Sequence, residues 1–174
     1  MKDLNGIKYI ERLPVVSTEK TPLFVLIHGY GSNEEDLFSF AQDLPQNAHI
    51  VSVRALHDIV YGGYAWYDIN FVNNEKWMDE MQAIESRNKL VEFIDAIVHQ
   101  ENLDAANVTL MGFSQGAILS YAISLNNPEK IKNVAILSGY PEAKIIGDFD
   151  QSKDFSNLNF FVSHGTEDVV LPIE

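Results

Sequence analysis

A serine set between two glycines at a spacing of two is a candidate nucleophile, and this chain carries one in Gly112-Phe113-Ser114-Gln115-Gly116. The glycines leave room for a tight turn from a strand into a helix, which lifts the serine hydroxyl into the open. The residues before it, Val108-Thr109-Leu110-Met111, are strand-like, and those after it, 117–122, are helix-like. An ordinary serine in a glycine-flanked turn is the bland alternative, and the flanking strand and helix count against it.

A serine hydroxyl is a poor nucleophile at neutral pH. It needs a base, a group that orients the base, and N–H donors for the oxyanion. The helix beginning at Gln115 offers that residue's backbone N–H, in a partly positive environment. A second donor should come from a loop after an earlier strand. His28-Gly29-Tyr30-Gly31 follows the apolar run Leu23-Phe24-Val25-Leu26-Ile27, and the Tyr30 N–H is the candidate. For the orienting acid, Phe160-Phe161-Val162-Ser163 reads as a strand leading into His164-Gly165-Thr166-Glu167-Asp168. That sets Asp168 just past a strand's C-terminal end, where open α/β sheets place their sites. Glu167 is the competing carboxylate, and a solvated loop acid is the bland reading of either.

These residues need a scaffold, and short apolar runs supply it. Residues 7–16, 23–27, 49–53, 108–111, 134–137 and 160–162 are rich in β-branched or aromatic residues and bounded by polar or glycine-bearing segments, which predicts strands. Between them, 34–42, 81–100 and 115–125 read as helices. In the second, Ile84, Val91, Ile94 and Val98 recur on one helical face. Ser32 followed by Glu35 predicts a capping box for the first. Strands alternating with helices of this length predict an α/β fold with a mainly parallel sheet, in one domain over residues 1–174. Residues 58–74 hold Tyr61, Tyr64, Trp66, Tyr67 and Phe71 without a clear period, and predict a long excursion of the kind that binds ligands.

Composition removes other classes. Twelve Lys and Arg against 25 Asp and Glu give a net charge of -13, which repels nucleic acid and anionic lipid surfaces. With no cysteine, thiolate chemistry and thiolate zinc sites are excluded. The acidic clusters Glu34-Glu35-Asp36 and Asp79-Glu80 lack histidines at ligand spacing, so no metal is expected. No phosphate-binding glycine loop is complete, so no cofactor is expected. No run approaches the roughly 18 uncharged apolar residues of a transmembrane span. The N-terminus lacks a signal-peptide core, which predicts a cytoplasmic protein. Asn107-Val108-Thr109 fits a glycosylation pattern but lies in a predicted strand.

Taken together, His28-Gly29-Tyr30-Gly31 with Asp36-Leu37, Gly63-Tyr64-Ala65-Trp66-Tyr67-Asp68, the Ser114 motif with Ala117, Leu137-Ser138-Gly139, and residues 164–172 make the chain resemble the phospholipase/carboxylesterase family of α/β-hydrolases. That family includes acyl-protein thioesterases and small bacterial esterases. The resemblance implies an α/β-hydrolase fold, Ser114 as nucleophile, Asp168 as triad acid, and Tyr30 and Gln115 as oxyanion donors. It also implies that Trp66 and its neighbour Tyr64 lie near the substrate, a small ester or lipid-like molecule.

In that family the catalytic histidine follows the acid, in a loop before the last helix. Here only residues 169–174 follow Asp168, so no residue matches it. His28 belongs to the oxyanion loop, His164 to the strand-end motif, and His49, His57 and His99 to strand flanks and a helix end. The expectation is a chain truncated at its C-terminus, lacking the final strand and helix, with strand 160–162 left as an open edge through which a homodimer could form. The expected activity is that of a serine carboxylesterase or thioesterase whose base is missing from these 174 residues. The alternative is a non-catalytic binding module on the same fold.

Overall fold

The computed structural model describes residues 1–72 and 75–173. The N-terminal strands are β1 (Lys2–Leu4), β2 (Ile7–Arg12), β3 (Leu23–Ile27) and β4 (His49–Val53). Two small hairpins follow, β5 (His57–Asp58) with β6 (Tyr64–Ala65), and β7 (Ile69–Val72) with β8 (Glu75–Met78). The C-terminal part supplies β9 (Val108–Phe113), β10 (Asn133–Leu137) and β11 (Asn159–Ser163). The helices are α1 (Glu80–Gln100), α2 (Gln115–Asn126) and the one-turn α3 (Ala143–Ile146).

Seven strands form one sheet in the order β1-β2-β4-β3-β9-β10-β11. From β4 to β11 every neighbour pair is parallel, and β2 runs antiparallel to both β1 and β4. The near-continuous apolar sequences of β3 and β4 follow from burial on both faces. One face takes Val25, Ile27, Val51, Leu110 and Ile136 into the main core with α1 and α2; the other packs Leu26 and Ile50 against Leu37 and Ala41. In α1 the buried Ala83, Ser86, Leu90, Phe93, Ile94 and Ile97 repeat at three- and four-residue steps. Its N-cap is Asp79, whose side chain accepts the Gln82 amide at 3.0 Å. The outermost strand, β11, has exposed residues throughout and β10 as its sole described partner. No described helix is long and apolar enough to cross a membrane.

Three elements depart from the sequence expectation. β2 stops at Arg12, before Pro14, and the amides of Val15 and Val16 turn to the Gln46 carbonyl instead. The expected helix over 34–42 is a 3-10 helix over Leu37–Gln42, and the capping box is not formed. The Ser32 hydroxyl donates to Asp36 rather than capping, and Glu34 turns inward to Arg54. The expected excursion over 58–74 holds the two hairpins; its last residues, Asn73 and Asn74, lie outside the described residues, as does Glu174.

Candidate active site

Ser114 follows β9 and caps α2 with φ 51° and ψ -114°, a conformation that costs a residue with a side chain about 1–3 kcal/mol. Its amide is fixed by a 3.0 Å bond to the Leu137 carbonyl of β10. The two motif glycines have separate reasons. A Cβ on Gly112 would collide with the Gly116 carbonyl, and a Cβ on Gly116 would collide with the Ile27 carbonyl at the end of β3. The turn at Ser114 is therefore pressed directly onto the neighbouring strand. Gly29 completes the approach, since a Cβ there would stand 3.2 Å from the Ser114 Cβ.

The loop after β3 is held at its start, middle and end. The His28 ring is buried, with Nδ1–H donating to the Gly29 carbonyl at 2.7 Å and Nε2 accepting the Ala55 amide at 3.1 Å. Because the Ala55 amide can only donate, Nε2 carries no proton, and burial lowers this imidazole's pKa. The Gly31 amide donates to the Tyr64 carbonyl at 2.9 Å, and the Tyr64 amide to the Ser32 carbonyl at 2.8 Å. Gly63 must be glycine, with φ 86° and the Gly31 carbonyl where a Cβ would go. Farther on, Glu34 receives two hydrogen bonds from Arg54 at 2.6 and 2.5 Å, and that guanidinium lies 4.3 Å over the Tyr64 ring. Among the described residues, the Tyr30 and Gln115 amides have no hydrogen-bond partner.

Gln115 does more than begin a helix. Its side chain is buried, accepts the Trp66 amide at 3.0 Å and donates to the Tyr67 carbonyl at 2.7 Å. Trp66 is 0% exposed, with its indole N–H on the His28 carbonyl at 2.9 Å and its own carbonyl accepting from Ser86. Trp66 is thus core rather than cleft, because every polar group it has finds a partner inside. Tyr64 likewise lies under Arg54 and not in the cleft. Neither residue, both expected near the substrate, lines the cleft beside Ser114, whereas their neighbours Tyr67 and Ile69 do.

A cleft of about 400 Å³ is lined by Tyr30, Tyr67, Ile69, Ser114, Gln115, Ile118, Val170 and Leu171. Three of the expected site residues, Tyr30, Ser114 and Gln115, meet there, and among the described residues no charged group lines it. Tyr67 and Ile69 were hidden in the aromatic stretch; alternation from the inward Trp66 is the signal that could have separated them. Asp168 stands beside the cleft. Its Oδ1 accepts the Val170 and Leu171 amides at 3.0 and 2.9 Å, which fold those side chains into the wall. These amides, Leu171 first, hold its carboxyl below the usual range. Glu167 is exposed.

No histidine lines the cleft. His28 has both ring nitrogens engaged. His49 is buried against Glu11 at 3.2 Å, and His99 is exposed in the last turn of α1. His57 lies in the β5–β6 hairpin. His164 Nε2 bonds the Leu171 carbonyl at 2.6 Å and stands 3.5 Å from Asp168 Oδ2.

A mainly parallel sheet with a strained serine turn at the end of a central strand defines an α/β-hydrolase. Residues 12–174 match the family Phospholipase/Carboxylesterase, and the chain belongs to it. It is 30% identical over 170 residues to acyl-protein thioesterase 1 of Saccharomyces cerevisiae, covering 86% of this chain and 71% of that protein. In structure it is similar to the Bacillus cereus carboxylesterase, with a TM-score of 0.78 and 22% identity over 95% of this chain and 74% of that one. Esterase PE8 gives a TM-score of 0.76 and 24% identity, covering 97% and 79%. Both likenesses bear on the fold.

Proposed function

We propose that this chain carries the acyl-transfer site of a serine carboxylesterase or thioesterase. The observation that carries the reading is the convergence of Ser114 with the Tyr30 and Gln115 amides, unpartnered among the described residues, on one cleft whose described lining is uncharged. Ser114 Oγ attacks the ester carbonyl and gives its proton to a base. The carbonyl oxygen becomes an oxyanion held by the two N–H groups. Collapse breaks the bond to the alcohol or thiol, which leaves with a proton, and water then releases the acid from Ser114. Asp168 is the acid of this site, its carboxylate kept ionised by two backbone amides. We infer that the base is none of the five histidines, since none of them lines the cleft. The uncharged walls suit a small ester or lipid-like substrate, with short-chain carboxyl esters first, and no cofactor enters the reaction.

The lack of a histidine in the cleft favours a second reading, a module that binds such ligands without cleaving them. A fluorophosphonate probe separates the two. The 174-residue chain should label slowly and only at Ser114, and added imidazole, standing in for the base, should accelerate labelling. Ser114→Ala should abolish it. A Ser114 that stays inert in imidazole overturns the hydrolase reading. Slow turnover of a p-nitrophenyl ester fits the hydrolase, because an oxyanion hole and binding alone leave roughly 10³-fold catalysis over water.

A further inference from the structure

We infer that Arg54 is a positioning residue that sets the oxyanion loop and, through it, the Tyr30 N–H. This rests on the proposed acyl-transfer site. Arg54 and Ala55 are consecutive residues just past β4, and between them they grip both ends of residues 28–34. The Ala55 amide holds the start through the His28 ring, and the Arg54 guanidinium holds the end through a two-bond fork on Glu34. The same guanidinium lies over the Tyr64 ring, and Tyr64 in turn holds the middle of the loop by its backbone bonds to Gly31 and Ser32. Tyr30 is left at the unsupported tip, with its amide free and its side chain on the cleft.

Arg54 does not line the cleft, so its charge does not act on the oxyanion directly. Glu34 is buried, and its carboxyl is held below the usual range by the Arg54 hydrogen bonds, so the pair is ionised and mutually neutralised at neutral pH. What Arg54 contributes is shape: a planar fork for Glu34 and a flat face for Tyr64, presented together. Lysine supplies neither, since its ammonium is a point charge without a fork or a stacking plane.

The test compares wild type with Arg54→Lys and with Ile131→Ala, a core change at the opposite end of the sheet. In amide-resolved NMR, Arg54→Lys should move the Tyr30, Gly31 and Ser32 resonances and speed Gly31 exchange about tenfold, leaving those of α2 in place. In imidazole-assisted labelling, the maximal rate should fall roughly 10- to 100-fold while the probe concentration for half-saturation holds, as expected for a misplaced oxyanion donor. Ile131→Ala should do neither. If Arg54→Lys does not fold, Tyr64→Leu, which keeps the Arg54–Glu34 ion pair and removes the ring and hydroxyl that meet Arg54, should give the same changes in smaller measure. Unmoved loop amides in the folded variant, or equal changes in Ile131→Ala, overturn the inference. Failure of wild type to label in imidazole refutes the hydrolase reading alone, and the NMR comparison still decides the role of Arg54.

Discussion

The Gln115 side chain offers the sharpest test of how the site is held. Gln115→Met keeps the volume and removes both hydrogen bonds, leaving the buried Trp66 amide and Tyr67 carbonyl without partners. Each such orphan costs about 1–3 kcal/mol, giving roughly 2–6 kcal/mol for the pair. A domain of this size shifts by about 2–4 °C per kcal/mol, so the melting temperature should fall by about 4–24 °C, followed by circular dichroism. Gln115→Glu adds a check on mechanism. A protonated carboxyl there donates to the Tyr67 carbonyl and accepts from the Trp66 amide, as the glutamine does. Once ionised it has no donor and is buried, so its folded pKa is raised above about 4.3. The sign follows: the stabilising contribution is full below that value and is lost as pH rises through the folded pKa. Gln115→Glu should therefore lie nearest wild type at pH 4 and farthest from it at pH 8. A drop of less than about 2 °C for Gln115→Met, or a Gln115→Glu deficit independent of pH, would refute the claim that this amide ties the cleft wall to the elbow.

Two further outcomes follow from the same coordinates. Ser114→Gly should raise stability by about 1 kcal/mol, read in urea, while abolishing probe labelling, because glycine adopts φ 51° without strain. His28 has a lowered folded pKa, so its contribution to stability is full above its ordinary value of about 6.5 and is lost as pH falls through the folded value. Wild type should lose stability between pH 7 and pH 5, and His28→Gln, measured by urea unfolding across that range, should show a shallower slope.

The parallel strands were readable because strands buried on both faces must be apolar along their length, as β3 and β4 are. α1 was readable as a helix because it is long and periodic, but its buried face centres on Ala83, Ser86, Leu90, Phe93 and Ile97, with Ile84, Val91 and Val98 only partly buried. The serine turn was readable because its glycines answer to backbone carbonyls in the same local unit and in β3. What escaped the sequence depends on distant partners. Ser32 and Glu35 have capping-box spacing, but Glu34 is drawn to Arg54, 20 residues away, and the turn tightens into a 3-10 helix. Trp66 has the look of a ligand contact, yet its partners His28, Gln115 and Ser86 are spread over the chain. An aromatic side chain and a buried one have the same letter. Only the fold says which way it faces.

The order of strands also ranks how durable each part of the site is. Tyr30 follows β3 and Ser114 follows β9, two adjacent strands in the middle of the sheet, each paired on both sides. Asp168 follows β11, which is exposed and paired on one side among the described residues. Under brief local unfolding, the outer strand opens at a far smaller free-energy cost than the central pair. Strands β3 and β9, which lead into Tyr30 and Ser114, should therefore open last, and β11, which leads into Asp168, among the first. The turn that carries Asp168 can open and re-form while the strained turn that presents Ser114 stays closed.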